Sequence, residues 1–204
     1  MMAKGAIPFD NPYSLWTVGI PMEDYQTKVL ENASLVICIG YDIIEYAPNI
    51  WHLNNADIIH IDSLPADINK TYQPEVEVVG EITDSLDRII SKAARLLEPT
   101  YALKIREKMV AEHEQYRNDT SFPMKPQKVL IDAREVMGPD DIVITDVGAN
   151  KVWTARHYNC YKPNTCIISN GFATMGIAVP GAIAANLVHP DRKVLAITGD
   201  AGFL

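Results

Sequence analysis

Cysteine is scarce in this sequence. Three residues in 204, with no C-x-x-C pair, exclude a disulfide scaffold. Cys38, Cys160 and Cys166 read as reduced thiols of a cytoplasmic protein. Cationic side chains are also few, 18 Lys and Arg against 26 Asp and Glu, for a formal net charge of −8. There are no basic clusters or aromatic-spaced Lys/Arg stripes, so neither nucleic acid nor an anionic membrane is an expected partner. No apolar run approaches about 18 residues, which excludes a spanning helix. The start, MMAKGAIPFDNP, has no apolar signal core, and its doubled Met reads as an added initiator. Several phosphate and catalytic motifs are missing as well. There is no G-x-x-x-x-G-K-[ST], GFATMG is not G-x-G-x-x-G, and CIGYDIIEYA has one glycine after its strand. The five histidines are scattered, HEQYR at 113–117 lacks the second His of a zinc-protease helix, and no Ser sits on a G-x-S-x-G elbow. P-loop, dinucleotide-fingerprint, zinc and serine-hydrolase readings therefore drop out.

What is present is apolar and orderly. Apolar residues make up 48% of the chain and charged ones 22%, enough for a packed interior. SLVICIG (34–40), ADIIHID (56–62) and VEVVGEI (76–82) are β-branched apolar runs that suit strands covered on both faces of a parallel sheet. Thr83 and Asp84 read as caps of a helix whose apolar stripe is Leu86, Ile89, Ile90, Ala93, Ala94 and Leu97. A charged helix is expected over about 100–117, then a proline-bearing linker at 118–126. The alternation then restarts with an amphipathic helix, PQKVLIDAREVM, a strand, DIVITDVG (141–148), and a helix, NKVWTARHY. A strand TCIISN (165–170), a small-residue helix TMGIAVPGAIAANLV (174–188) and a strand KVLAITGD (193–200) complete it. Pro180 should kink that helix or mark its true start. Strands alternating with helices in both blocks predict two α/β units with parallel sheets.

Ligands of open parallel sheets bind beyond the carboxyl ends of the strands. The second block offers three such ends: Asp146-Val147-Gly148-Ala149-Asn150, Ser169-Asn170-Gly171 and Gly199-Asp200-Ala201-Gly202. A carboxylate there suits a hard cation, and small residues at a helix start offer backbone N–H groups to phosphate oxygens. A tight βα turn with no ligand fits the same letters.

Together these stretches resemble the thiamine-diphosphate-dependent enzymes, and within them the acetolactate synthase group. Gly199-Asp200-Ala201 matches the opening of the family's cofactor signature, whose closing Asn pair lies in a span this chain does not contain. GFATMGIAVP (171–180) fits the family's G-x-x-x-M-G-x-x-x-P run, and DVGANKVW (146–153) its D-x-G-x-x-x-x-W stretch. GYDIIEYAPNIW in the first block is more similar to the FAD-independent, catabolic type. The resemblance implies two doubly wound parallel-sheet units. They would be part of the family's middle domain (1–98), a connecting helix and linker (99–125), and the first part of its diphosphate- and metal-binding domain (126–204). It implies a piece of a longer enzyme, inactive alone, that decarboxylates pyruvate and joins the product to a second pyruvate. Thiamine diphosphate and Mg²⁺ are the implied cofactors, FAD is not expected, and a homo-oligomer is implied for the parent protein. Asp200 would ligate Mg²⁺. Backbone N–H groups of Ala201 and Gly202, after Gly199, would hold the diphosphate, with Gly148, Ala149 and Asn150 on its other side. Many relatives carry Gln-His or Ser-His at the latter pair, so Ala149-Asn150 departs from the pattern. The Ala173 carbonyl would accept from the aminopyrimidine amino group, and Met175 would wedge between the two rings. The family's catalytic Glu comes from an N-terminal domain, so no catalytic residue is assigned here. The alternatives are another thiamine-diphosphate 2-oxoacid decarboxylase, oxidase or carboligase, or a non-catalytic nucleotide-binding module.

Overall fold

The structure, a computed structural model, describes residues 2–18, 24–44, 46–52, 54–93 and 100–204. Its contacts divide into two units, residues 21–101 and residues 1–20 together with 102–204. Ala94, Leu97 and the 98/99 domain boundary read from the sequence lie outside the described residues.

The first unit runs α1 (Tyr25–Glu31), β1 (Leu35–Ile39), α2 (Pro48–Trp51), β2 (Asp57–Asp62), β3 (Val76–Val79) and α3 (Ile82–Lys92). Its strands are parallel in the order β1-β2-β3, with Leu35 opposite Asp57 and Ile59 opposite Val76. One face packs Cys38 and Ile58 against Trp51 and Tyr72, and the Tyr72 hydroxyl lies 2.8 Å from His60 Nδ1. On the other face of β1, Leu35, Ile37 and Ile39 are each about half exposed, so two-sided cover is not realised there. The cap of α3 also differs from the expected one. The Glu81 carboxylate accepts from Asp84 N–H at 2.9 Å, which places Thr83 and Asp84 inside the first turn.

The second unit contains α4 (Thr100–Arg117), α5 (Pro126–Val136), β4 (Ile142–Thr145) and α6 (Ala149–His157). Then follow β5 (Cys166–Ile168), α7 (Ala178–Val188), β6 (Val194–Ile197) and a single turn, α8 (Asp200–Phe203). The helix read over 100–117 has those bounds. β4 is the middle strand of a parallel sheet ordered β5-β4-β6, with Val143 opposite both Cys166 and Leu195. Strand parity sorts its side chains. Val143 joins Ala155, Tyr158, Cys166 and Ile168 under α6, while Ile142 and Ile144 pack on Ala178, Ala182 and Ala185 of α7. The crossovers β4-α6-β5 and β5-α7-β6 travel in opposite directions, and α6 and α7 cover opposite faces, so this sheet is doubly wound. The N-terminal segment belongs to the same unit. Lys4 Nζ donates to Ala155 O at 2.8 Å, and Arg106 donates to Ser14 O and Phe9 O.

α7 begins at Ala178, four residues later than its apolar run predicts. Pro180 therefore sits in the first turn, where a missing N–H costs no helical bond. Its outward residues Ile183, Leu187 and Val188 are exposed, and an apolar groove lies between it and the start of β6. Among the described residues, no helix is long and apolar enough to cross a membrane.

Candidate functional site

In this arrangement β4 sits where the chain reverses its direction of winding, and its carboxyl end opens at the switch point of the sheet. Three segments meet there: the turn from β4 into α6, the turn between β5 and α7, and the turn from β6 into α8. They are the three strand ends marked by the sequence.

A fully buried carboxylate, that of Asp146, lies where they meet. Its Oδ1 accepts from Val147 N–H at 2.7 Å and Gly176 N–H at 2.9 Å. Its Oδ2 accepts from Gly176 N–H at 2.9 Å and, at longer range, from Ala178 N–H at 3.4 Å and the Thr198 hydroxyl at 3.5 Å. Burial pushes this carboxyl up, but the N–H and hydroxyl donors outweigh it and hold it below the usual carboxylate range. The same grip explains the late start of α7. Gly176, at φ 87°, turns its N–H toward Asp146, and the helix begins only once Ala178 has done the same. α8 rests against the other side of Asp146. A Cβ on Gly202 would stand 2.8 Å from Asp146 Oδ2 and 2.9 Å from Thr198 Oγ1, so only glycine fits without movement.

Asp200, also a carboxylate at a strand end, has the opposite environment. It is the first residue of α8, it is exposed, and its side chain makes no hydrogen bond or ion pair among the described residues. Gly199 has open space where a Cβ would be. The backbone bonds of α8 begin with Phe203 N–H to Gly199 O, so the amides of Ala201 and Gly202 precede them. On the opposite bank, Gly148 caps α6 at φ 134°. Asn150 turns its amide into the sheet, donating to Ile197 O at 3.2 Å, and its Oδ1 fills the space beside Gly148. What Gly148, Ala149 and Asn150 offer outward is therefore backbone.

In the turn between β5 and α7, Ala173 has a left-handed backbone at φ 47°. This costs an L-residue about 1–2 kcal/mol, and such strain collects at ligand-gripping positions. Met175 is 52% exposed, so it does not fill space beneath α7. Two residues here carry no role in the sequence reading. Phe172 is fully exposed beside Ala173. Asn170 has a buried Nδ2 without a hydrogen-bond partner, an orphan donor at the end of β5. Its place in a Ser-Asn-Gly strand end was the only available signal. Among the described residues, no group of three or more His, Cys, Asp or Glu is assembled to hold a metal.

Comparison with known proteins identifies the family. Residues 1–89 match the thiamine pyrophosphate enzyme central domain, and residues 146–204 match the C-terminal TPP-binding domain of the same enzymes. The chain is 37% identical over 185 residues to an acetolactate synthase of Bacillus subtilis, covering 86% of this chain and 32% of that protein. It is 33% identical over 196 residues to a catabolic acetolactate synthase of Raoultella terrigena, covering 92% of this chain and 34% of the relative. A third relative, the acetolactate synthase isozyme 1 large subunit of Escherichia coli, is 32% identical over 217 residues, covering 100% of this chain and 36% of its own. The chain thus spans about a third of the length of the curated relatives it matches. With both domain models matched in chain order, the protein belongs to the thiamine pyrophosphate enzyme family.

Proposed function

We propose that the chain is the central-to-C-terminal part of a thiamine-diphosphate-dependent acetolactate synthase that joins two pyruvates, with loss of CO₂, into 2-acetolactate. We also infer that these 204 residues are inactive alone. The observation that carries this reading is the meeting of the three strand-end turns at Asp146, Gly176 and Gly202, at the switch point of the second sheet.

The residues present fit the cofactor. Asp200 is an exposed carboxylate without a partner among the described residues, and a strained backbone stands at Ala173. Space is open at Gly199, and Asn170 keeps an orphan donor. In this reading the Asp200 carboxylate would help hold Mg²⁺, a hard cation that favours oxygen ligands. The first amides of α8, at Ala201 and Gly202, donate to the same diphosphate, and the backbone of Gly148, Ala149 and Asn150 faces its other side. The Ala173 carbonyl would accept from the aminopyrimidine amino group, and Met175 would pack against the cofactor's rings. Bound thiamine diphosphate would supply an electron sink for the electron pair left on carbon as CO₂ departs. The chain's contribution is to hold the reacting ends together, which makes their encounter effectively unimolecular. Operation as a cytoplasmic homo-oligomer without FAD belongs to the same proposal.

The test is product analysis. With pyruvate, Mg²⁺ and thiamine diphosphate, the complete reading frame should form 2-acetolactate and the 204-residue chain none. Acetaldehyde or acetate as the main product moves the reading to a decarboxylase or oxidase of the same family. Turnover by the chain alone overturns its assigned inactivity.

A further inference from the structure

We propose that Asp146 is a positioning residue that makes the two halves of this site one cooperative unit, gripping the Met175–Gly176 turn on one side and seating the Asp200–Phe203 turn on the other. Its carboxylate accepts both contacts of the Gly176 N–H at 2.9 Å, while Gly202 sits so close that even a methyl group would meet Oδ2. The turns also lie against each other, since a Cβ on Gly176 would stand 3.7 Å from Gly202 O. A movement of either turn therefore changes the room available to the carboxylate holding the other. An ionised carboxylate offers only acceptors. An Asn of the same shape would point an N–H₂ donor at the Val147 and Gly176 N–H groups, or toward the Ala178 N–H and Thr198 hydroxyl.

The opposite end of the same strand supplies an internal control. Asp141 accepts from Gly138 N–H at 2.6 Å and Lys193 N–H at 2.9 Å, tying the starts of β4 and β6 together far from the strand ends. The two aspartates bracket one strand and are built alike. Asp141 fastens scaffold to scaffold, whereas Asp146 fastens one site turn to another. The coupling stands on this geometry alone, and only its consequence for the cofactor rests on the proposed function.

Amide hydrogen exchange on the 204-residue chain tests the coupling without any ligand. In Asp146→Asn, the amides of Gly176, Ala178 and Phe203 should exchange together on the order of ten-fold faster, the loss expected from one charge-assisted bond. The ladder amides of Ile142 and Val143 should keep their rates. Asp141→Asn should do the reverse, speeding Ile142 and leaving the three turn amides alone. Should Asp146→Asn not fold, Gly202→Ala carries the test, because pressing on the carboxylate from α8 should loosen Gly176 and Ala178 across the site. Acceleration at Gly176 and Ala178 with Phe203 unmoved overturns the proposal, as does uniform acceleration of turns and ladder together. In a parallel arm, Asp146→Asn should weaken thiamine diphosphate–Mg²⁺ binding about ten-fold, and Asp141→Asn should leave it unchanged. A wild-type chain that binds no cofactor counts against the proposed function and leaves the exchange result standing.

Discussion

Replacing glycine with alanine at three neighbouring positions separates crowding, backbone conformation and ligand room. At Gly202 the new Cβ would lie 2.8 Å from Asp146 Oδ2 and 2.9 Å from both Asp146 Cγ and Thr198 Oγ1. The Asp146 side chain is pinned by backbone donors and cannot swing aside, so α8 has to lift. Overpacking of this kind costs about 1–3 kcal/mol. At Gly176 the new Cβ meets only Gly202 O at 3.7 Å, an ordinary contact, but φ is +87°. The penalty there is conformational, about 1–2 kcal/mol. At Gly199 nothing lies within 4 Å and φ is −87°, so alanine fits. Stiffening the unfolded chain at such a position stabilises by about 0.4–1 kcal/mol. Urea unfolding followed by tryptophan fluorescence should rank Gly199→Ala at or above the parent and the other two clearly below it, with unchanged slope. Calorimetric titration should then show Gly199→Ala binding thiamine diphosphate–Mg²⁺ more weakly despite its intact fold, since the methyl takes space the turn leaves open. If Gly199→Ala unfolds as easily as Gly202→Ala, or binds cofactor as tightly as the parent, the open-turn reasoning fails.

Acidification gives two further tests. Burial raises the Asp141 carboxyl as it does that of Asp146, but in each the hydrogen-bond donors prevail and the folded-state value falls below the ordinary one. Their contribution to stability is complete above the unfolded value, near pH 3.9, and fades as pH drops through the lower folded values. Acid titration of Asp141→Asn should show a shallower loss in that window, and an unchanged slope would contradict the assignment. His157 acts over a higher range. Burial first, then the charges of Arg156, His113 and Lys4, push it down to about 3. Between about pH 6.5 and that value the unfolded chain binds a proton that the folded one does not, removing roughly 3 kcal/mol by pH 4. His157→Gln should flatten stability between pH 6.5 and 4, and an unaltered profile refutes the buried neutral imidazole. The exposed Ile183, Leu187 and Val188 of α7 predict concentration-dependent association, which Leu187→Lys should reduce in sedimentation equilibrium.

The second sheet was legible because its signals are local. The apolar runs of β4 and β6 predict a parallel ladder, and Ile142–Val194 through Thr145–Ile197 form it, with β4 buried and β6 half-buried. The start of α7 was legible only in part: Pro180 offered to mark it and falls in the first turn, but the acceptor that turns Gly176 aside and meets the first helical N–H, that of Ala178, is Asp146, 30 and 32 residues away. Asp146 and Asp200 look alike in sequence, each an acidic residue between an apolar run and a glycine. One is buried under three turns and the other exposed, a difference decided by which N–H groups the tertiary fold aims at each. α1 gave no apolar period to read, and its buried residues are Gln26 and Thr27. α2 is a single turn begun by a proline. Among the site residues, Asn150 shows the same limit. The resemblance implies a cofactor contact at this position, where Asn departs from the family pattern, and its amide donates to the carbonyl of Ile197, 47 residues away.

The account stands on Asp200 and its small neighbours receiving a magnesium-bound diphosphate, and isothermal titration tests this most directly. Thiamine diphosphate should bind the wild-type chain saturably, one per chain, only when Mg²⁺ is present. Asp200→Ala should abolish that binding without lowering the melting temperature, because the residue is exposed and its side chain holds nothing else in place. Absence of binding, or binding indifferent to both Mg²⁺ and Asp200→Ala, would contradict the account.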